Sequence, residues 1–179
     1  MLAKINELDS FISVKMRLDH GETPWWKVVT FLAHSGDSWF WVIGLIIVWL
    51  ILPAWRSLAA FLIAAIVALA ALVFFIKFVV RRSRPPGKWG SIYRNTDPHS
   101  FPSGHAARAA MLAVIAILSG PLWVGFLIAA WALLVSLSRI MTGMHYFSDV
   151  LVGILLGIVA GQAAVLARPL LSTWLPFIF

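Results

Sequence analysis

Residues 57–80 read SLAAFLIAAIVALAALVFFIKFVV, an unbroken apolar run whose one charge, Lys77, sits near its end. A helix needs about 20 mainly apolar residues to cross a hydrocarbon core of about 30 Å, and its backbone polar groups must be paired internally there. The run therefore predicts a spanning helix. Four more apolar stretches, at 37–54, 103–119, 121–139 and 146–167, read the same way. The expected fold is all-α: a polytopic membrane helix bundle of about five spanning helices. Composition agrees, since 61% of the 179 residues are hydrophobic, 12% are charged and mean hydropathy is +0.93. A water-soluble domain of that size would need more polar surface.

The flanks are different in kind. Ile5, Leu8, Phe11, Ile12 and Met16 recur at helical spacing between charged residues, which predicts an amphipathic helix lying at the interface. Residues 24–34 are too short to span and should lead into the first spanning helix, so 1–35 reads as an interfacial segment. Lys4, Glu7, Asp9, Lys15, Arg17 and Asp19 interrupt the first twenty residues, and no cleavable signal peptide is expected. Trp39, Trp41 and Trp55 flank the first span, where interfacial aromatic belts lie. The tail 169–179 should pack at the opposite interface. The whole chain, 1–179, reads as one domain with its bundle over 37–167. Gly153, Gly157 and Gly161 recur every four residues and should allow close helix packing.

Cysteine is absent, which excludes disulfides and thiolate chemistry. The net charge of +7 is concentrated in 77–94, beside apolar runs. That placement suits an anionic headgroup or phosphate rather than nucleic acid. The expected partner is a membrane lipid phosphate, with no protein partner implied.

Threading the five spans brings three polar segments to one end of the bundle. These are 77–85, ending Arg84-Pro85; 102–105, Pro102-Ser103-Gly104-His105; and 138–149, which holds Ser138, Arg139, His145 and Asp149. Four residues apart, His145 and Asp149 share a helix face, about 6 Å apart along the axis. The carboxylate could then accept the imidazole N–H, fix the tautomer and leave the other nitrogen to attack. Ser103 before Gly104 reads as an N-cap, and the exposed N–H groups of that helix start form an anion site. Lys77, Arg84 and Arg139 supply cations, and arginine can grip two phosphate oxygens at once. His105 is placed to protonate a leaving oxygen.

Two histidines and an aspartate could instead hold a metal. The converging residues are mostly cations, however, and these would repel a divalent ion while stabilising a phosphoryl group in transfer. No metal and no cofactor are therefore expected.

The three segments resemble the signature of the type 2 phosphatidic acid phosphatase (PAP2) superfamily, K-x6-RP, PSGH and SR-x5-H-x3-D, with every position filled between 77 and 149. The resemblance implies a metal-independent lipid phosphate or diphosphate phosphatase. In it His145 forms a phosphohistidine, Asp149 supports that nucleophile and His105 protonates the leaving group. Lys77, Arg84, Ser103, Gly104 and Arg139 would hold the phosphoryl oxygens. Residues 99–108 also resemble the branch acting on isoprenoid diphosphates. An isoprenoid diphosphate such as undecaprenyl diphosphate, or phosphatidylglycerophosphate, is thus the implied substrate. A phosphotransferase of the same fold, passing the group to an acceptor lipid or sugar, is the alternative, and an anion transporter is a remote one. Many bacterial members have six spans, so this chain would be a compact variant.

Other ionisable residues have plainer readings. Arg81, Arg82, Lys88 and Arg94 flank a span and read as headgroup anchors. Arg108 follows His105 by one helical turn inside an apolar run and reads as an accessory substrate contact. His99 reads as a loop residue, His20 and His34 as incidental, and Gly36-Asp37 as the cap of the first span. Orientation is contested. Basic residues gather on the site's side, which the positive-inside rule would make cytoplasmic. The resemblance implies the plasma (inner) membrane with the site on the extracytoplasmic face.

Overall fold

A computed structural model describes residues 2–18, 24–86 and 97–174. The readings of His20, Lys88, Arg94 and the last five residues of the tail lie outside these. The helices are α1 (Leu2–Met16), α2 (Pro24–Ser35), α3 (Ser38–Ile51), α4 (Arg56–Val80), α5 (Gly104–Ser119), α6 (Leu122–Met141) and α7 (Phe147–Trp174), with a 3₁₀ turn at Pro53–Trp55. The chain is a membrane helix bundle, as its apolar runs demand.

The span count differs in detail from the expectation of about five. Among the described residues three helical stretches are long and apolar enough to cross a membrane: Pro53–Val80, Leu122–Met141 and Phe147–Trp174. The pair α2 and α3, bent by 60° at residues 36–37, makes a fourth if taken as one span. The fifth element, α5, has 16 residues, about 24 Å at 1.5 Å per residue. It falls short because it is the bundle's centre and faces protein rather than lipid. Ala106, Ala107, Arg108, Ala109, Ala110, Met111, Leu112, Ala113 and Ile115 are all buried.

Small side chains make that centre. Phe61, Ile66, Leu69 and Val73 of α4 pack on Ala107, Met111, Leu112 and Ile115 of α5. On the other side α7 lays its glycine stripe on the α5 backbone. A Cβ at Gly157 would come within 2.1 Å of the Ala107 carbonyl oxygen, and one at Gly153 within 2.6 Å of that of Ser103. The i, i+4 glycines thus set the depth at which α7 meets the start of α5, and with it the distance from Asp149 to Ser103. Their outer neighbours Leu151, Leu155, Val159 and Leu166 are exposed, as lipid-facing positions should be.

Two expectations about the ends need correction. The last helix continues through Pro169 to Trp174 rather than stopping near 167. Past the proline, hydroxyls add bonds to the helix backbone: Ser172 donates to the Arg168 oxygen and Thr173 to that of Pro169. At the other end, α1 turns its polar face inward. Asp9 and Ser13 are buried while Leu8, Phe11 and Val14 are exposed. Asp9 accepts from the Ser148 backbone N–H at 2.9 Å, and Ser13 Oγ accepts from that of Phe147 at 2.9 Å. The helix is therefore docked on the start of α7 by polar contacts, with its apolar side left for lipid.

Candidate active site

Four helix ends meet where α1 docks. Lys77 is in the last turn of α4, Gly104 and His105 open α5, Arg139 is in the last turn of α6, and His145 precedes α7. The described ends of the segment after α4, 81–86 and 97–103, come together beside them. An antiparallel bridge joins Ser83 to His99, and the Ser100 N–H donates to the Arg82 carbonyl at 2.8 Å. This bridge brings Arg84 and Asp97 inward. The result is a cavity of about 120 Å³ whose lining includes Lys77, Arg84, Gly104, His105, Arg139 and His145. Liquid water occupies roughly 30 Å³ per molecule, so the space suits a phosphoryl-sized group.

His145 is 1% exposed, and its Nδ1 lies 2.8 Å from the Ser100 carbonyl oxygen. A carbonyl can only accept, so Nδ1 carries the proton and Nε2 keeps its lone pair. Burial first, then the charges of Arg84, Arg139 and Lys77, holds this imidazole well below its ordinary 6.5. The ring is neutral at pH 7, as a nucleophile needs to be. Asp149 Oδ2 stands 3.6 Å from Nδ1, beyond a hydrogen bond. The expected carboxylate–imidazole bond is thus replaced by the Ser100 carbonyl. Asp149 instead reaches back to the Tyr146 N–H at 2.9 Å, in the manner of a capping box, and accepts from Arg82 Nη1 at 2.7 Å.

Arg82, expected as a headgroup anchor, is a tie within the protein. Its Nη2 donates to Asp9 at 2.6 Å, its Nη1 to Asp149 and Ser148, and its guanidinium lies 4.2 Å from the Tyr146 ring centre. Burial works against the charge, but Asp9 and Asp149 outweigh it and raise the group above its ordinary value. Through Arg82 the N-terminal helix is linked to the carboxylate beside His145. Arg81 caps α4 in the left-handed region (φ 52°) and donates to the Phe78 carbonyl.

The cations form the cavity's other wall. Arg84 donates from Nε to the Asp97 carbonyl at 2.8 Å, from Nη1 to the Met144 carbonyl at 3.0 Å and from Nη2 to Asp97 Oδ2 at 2.8 Å. Its Nη1 also lies 3.4 Å from His145 Nε2. Lys77 Nζ meets the same Asp97 Oδ2 at 2.5 Å and the His99 carbonyl at 3.0 Å. A carboxylate oxygen of this chain therefore stands between two cations. Arg139 is 1% exposed and donates to the Ala33 carbonyl at 3.3 Å.

The PSGH segment divides its work. Ser103 is fully buried, and its Oγ caps α5 by accepting from the Ala106 N–H at 3.5 Å. Its own N–H donates to the Asp149 carbonyl at 2.9 Å. Ser103 thus builds the helix start and lies outside the cavity wall, whereas Gly104 and His105 line it. Arg108 also lines the cavity, but its guanidinium is committed to the bend between α2 and α3. Nε and Nη2 donate to the Gly36 carbonyl at 3.1 and 2.7 Å, and Nη1 donates to Ser38 Oγ.

Sequence reasoning missed the Ser100 carbonyl; it placed Asp37 and Asp97 near this face but gave neither a partner, and Asp37 Oδ1 meets His105 Nε2 at 2.6 Å. A backbone acceptor leaves no residue signature, and the two aspartates are 20 and 68 residues from their partners. Among the described residues no three His, Asp or Glu side chains converge as metal ligands would.

The profile of the PAP2 superfamily matches residues 58–171. An undecaprenyl-diphosphatase of Sulfolobus acidocaldarius is 33% identical over 134 residues, which cover 73% of this chain and 64% of that protein. The chain thus spans less than two thirds of that relative's length. Among solved structures, a transmembrane PAP2-type phosphatidylglycerolphosphate phosphatase from Bacillus subtilis superposes with a TM-score of 0.73 at 24% identity, over 90% of this chain and 85% of that one. LpxE of Aquifex aeolicus superposes with a TM-score of 0.65 at 24% identity, over 89% and 93%.

Proposed function

Because the chain belongs to the PAP2 superfamily, we propose that it hydrolyses a membrane lipid phosphate, with an isoprenoid diphosphate as substrate. The observation that carries the reading is His145, its Nδ1 held by the Ser100 carbonyl, in the wall of a cavity lined by Lys77, Arg84, Arg139 and His105. In the proposed reaction His145 Nε2 bonds to phosphorus as the bond to the leaving oxygen breaks, and His105 gives that oxygen a proton. Water then attacks the phosphohistidine, His105 takes its proton, and inorganic phosphate leaves with His145 restored. The cations and the helix start at Gly104–His105 hold the negative oxygens through both steps. Ser103 contributes by fixing that helix start. Asp149 acts through its charge and through the turn it caps.

The cavity's surroundings support a lipid substrate. Leu69, Ala70, Val73 and Phe74 of α4 form one wall, and Phe74 is half exposed on the lipid-facing side. Leu69 also lines an apolar cleft of about 460 Å³ between α4 and α7. A headgroup could thus enter sideways while its chain stays in hydrocarbon. The isoprenoid preference follows the named activity of the 33%-identical relative. The test is a phosphate-release panel over prenyl diphosphate, prenyl monophosphate, phosphatidate and phosphatidylglycerophosphate, with and without chelator. Release from prenyl diphosphate that chelator leaves unchanged is expected. Activity lost in chelator and restored by a divalent ion would contradict the metal-free mechanism.

Asp97 gives a separate prediction. If its carboxylate competes with phosphate for Lys77 and Arg84, Asp97→Asn should lower the concentration of inorganic phosphate needed for half-inhibition by about tenfold, the worth of ~1.4 kcal/mol. Unchanged or weaker inhibition would remove Asp97 from that role.

The proposed location is the plasma membrane with the site on the extracytoplasmic face. The excess of cations on the site's side is no measure of topology, because Lys77, Arg82 and Arg84 are bound to Asp9, Asp97 and Asp149. A topology reporter fused after Phe179, five residues beyond the last residue of α7, should report from the cytoplasm. A reporter active outside would reverse the orientation.

A further inference from the structure

His105 has a partner of its own. Asp37 occupies the N-cap position of α3, with extended backbone (φ −66°, ψ 138°), yet its side chain makes no capping bond. An N-cap carboxylate ordinarily bonds the first-turn N–H groups. Here it is turned away, with Oδ1 at 2.6 Å from His105 Nε2 and Oδ2 at 3.2 Å from His34 Nδ1. A carboxylate only accepts, so both rings donate to it. Asp37 and His105 side chains are each 15% exposed, which shields the contact from water.

The bend between α2 and α3 is built to make this contact. A Cβ at Gly36 would lie 2.8 Å from Val135 Cγ1 and 3.1 Å from His105 Cδ2, so the close approach needs glycine. Arg108, one turn after His105 on the same helix, holds the Gly36 carbonyl with two N–H groups. The helix that presents His105 thus also grips the bend that presents Asp37. Two cations, Arg108 and Arg139, lie near the ring, and Asp37 is the carboxylate in contact with it.

We infer that Asp37 is a positioning residue for His105: it holds Nε2–H, orients the ring and supports the charged imidazolium that must give up a proton. With Nε2 committed to Asp37, Nδ1 is the nitrogen left to serve the leaving oxygen. This inference rests on reading the cavity as a phosphatase site. It assigns Asp37 a part for which neither its place in the sequence nor the three-segment motif provides.

Leaving-group dependence separates this from a purely structural role. An alkyl phosphate must expel an alkoxide and needs the proton, whereas p-nitrophenyl phosphate expels a stable phenolate and needs it little. General acid catalysis is worth about 10²–10⁴-fold. Asp37→Asn should therefore lower kcat on prenyl monophosphate by about tenfold or more, and on p-nitrophenyl phosphate by less than about threefold. Asp37→Glu should recover part of the loss. Combining Asp37→Asn with His105→Ala should cost no more on the alkyl substrate than His105→Ala alone, because the two residues act as one unit. Equal losses on both substrates, or none, would overturn the inference. Wild-type protein that released phosphate from neither would sink the hydrolase reading itself, a distinct result from active wild type with an indifferent Asp37 variant.

Discussion

Replacing His145 by alanine is expected to abolish phosphate release, with kcat falling on the order of 10⁶-fold, the scale seen when a hydrolase loses its nucleophile. The residue is 1% exposed and adds no outer surface of the bundle, so the expected loss is chemical. Alanine also leaves the Ser100 carbonyl without its donor, at about 1–3 kcal/mol. His145→Asn controls for that, because its amide can still donate to Ser100 from a place close to Nδ1 while offering no lone pair at Nε2. Both variants should be inactive, and the asparagine variant should keep a thermal midpoint close to wild type. Residual turnover within about a hundredfold of wild type in either would mean that another group attacks phosphorus.

Arg84→Lys is expected to lower kcat/KM by about 10²–10³-fold, although the charge is kept. One guanidinium spans the Asp97 carbonyl, the Asp97 carboxylate, the Met144 carbonyl and the edge of His145. A lysine ammonium is a single point with three donors and cannot bridge those positions. The phosphoryl group would then lose a two-pronged contact beside the attacking nitrogen, where charge builds in the transition state. Steady-state kinetics on the best lipid of the panel checks this. A loss under about threefold would show that Arg84 secures the loop rather than the reacting group.

Much of this site is legible in the chain because helical spacing and apolar run length are local properties. The placement of Lys77 at one helix end, of Gly104–His105 at a helix start and of Arg139 at another end follows from where the apolar runs begin and stop. The four-residue interval places Asp149 close to His145, but not in contact with its N–H. That proton goes to Ser100, 45 residues away, and the carboxylate goes to Arg82, 67 residues away. Neither pairing has a periodicity to betray it. Arg82 illustrates the difficulty: a basic residue after a spanning helix has the same local context whether it meets a headgroup or a buried aspartate. Asp9, which decides between those fates, lies 73 residues earlier.

The N-terminal helix makes the same point from the other side. Of its apolar series Leu8 and Phe11 are exposed, while Met16 packs against Ala106, Ile140 and Val150. Its function in the fold lies on the opposite face, where Asp9 and Ser13 secure the start of α7. Arg108 shares a face with His105 as the one-turn spacing requires. Its hydrogen bonds run to Gly36 and Ser38, because the bent pair α2–α3 brings unsatisfied backbone to that depth.

The covalent intermediate on His145 tests the central claim most directly. Wild-type protein would be mixed with prenyl diphosphate labelled in its terminal phosphate, quenched in alkali within one turnover, and digested. Phosphohistidine survives alkali, so the label should appear on the peptide bearing His145, with none in His145→Asn protein. Turnover at the same rate with no labelled peptide, or with the label on another residue, would contradict the account.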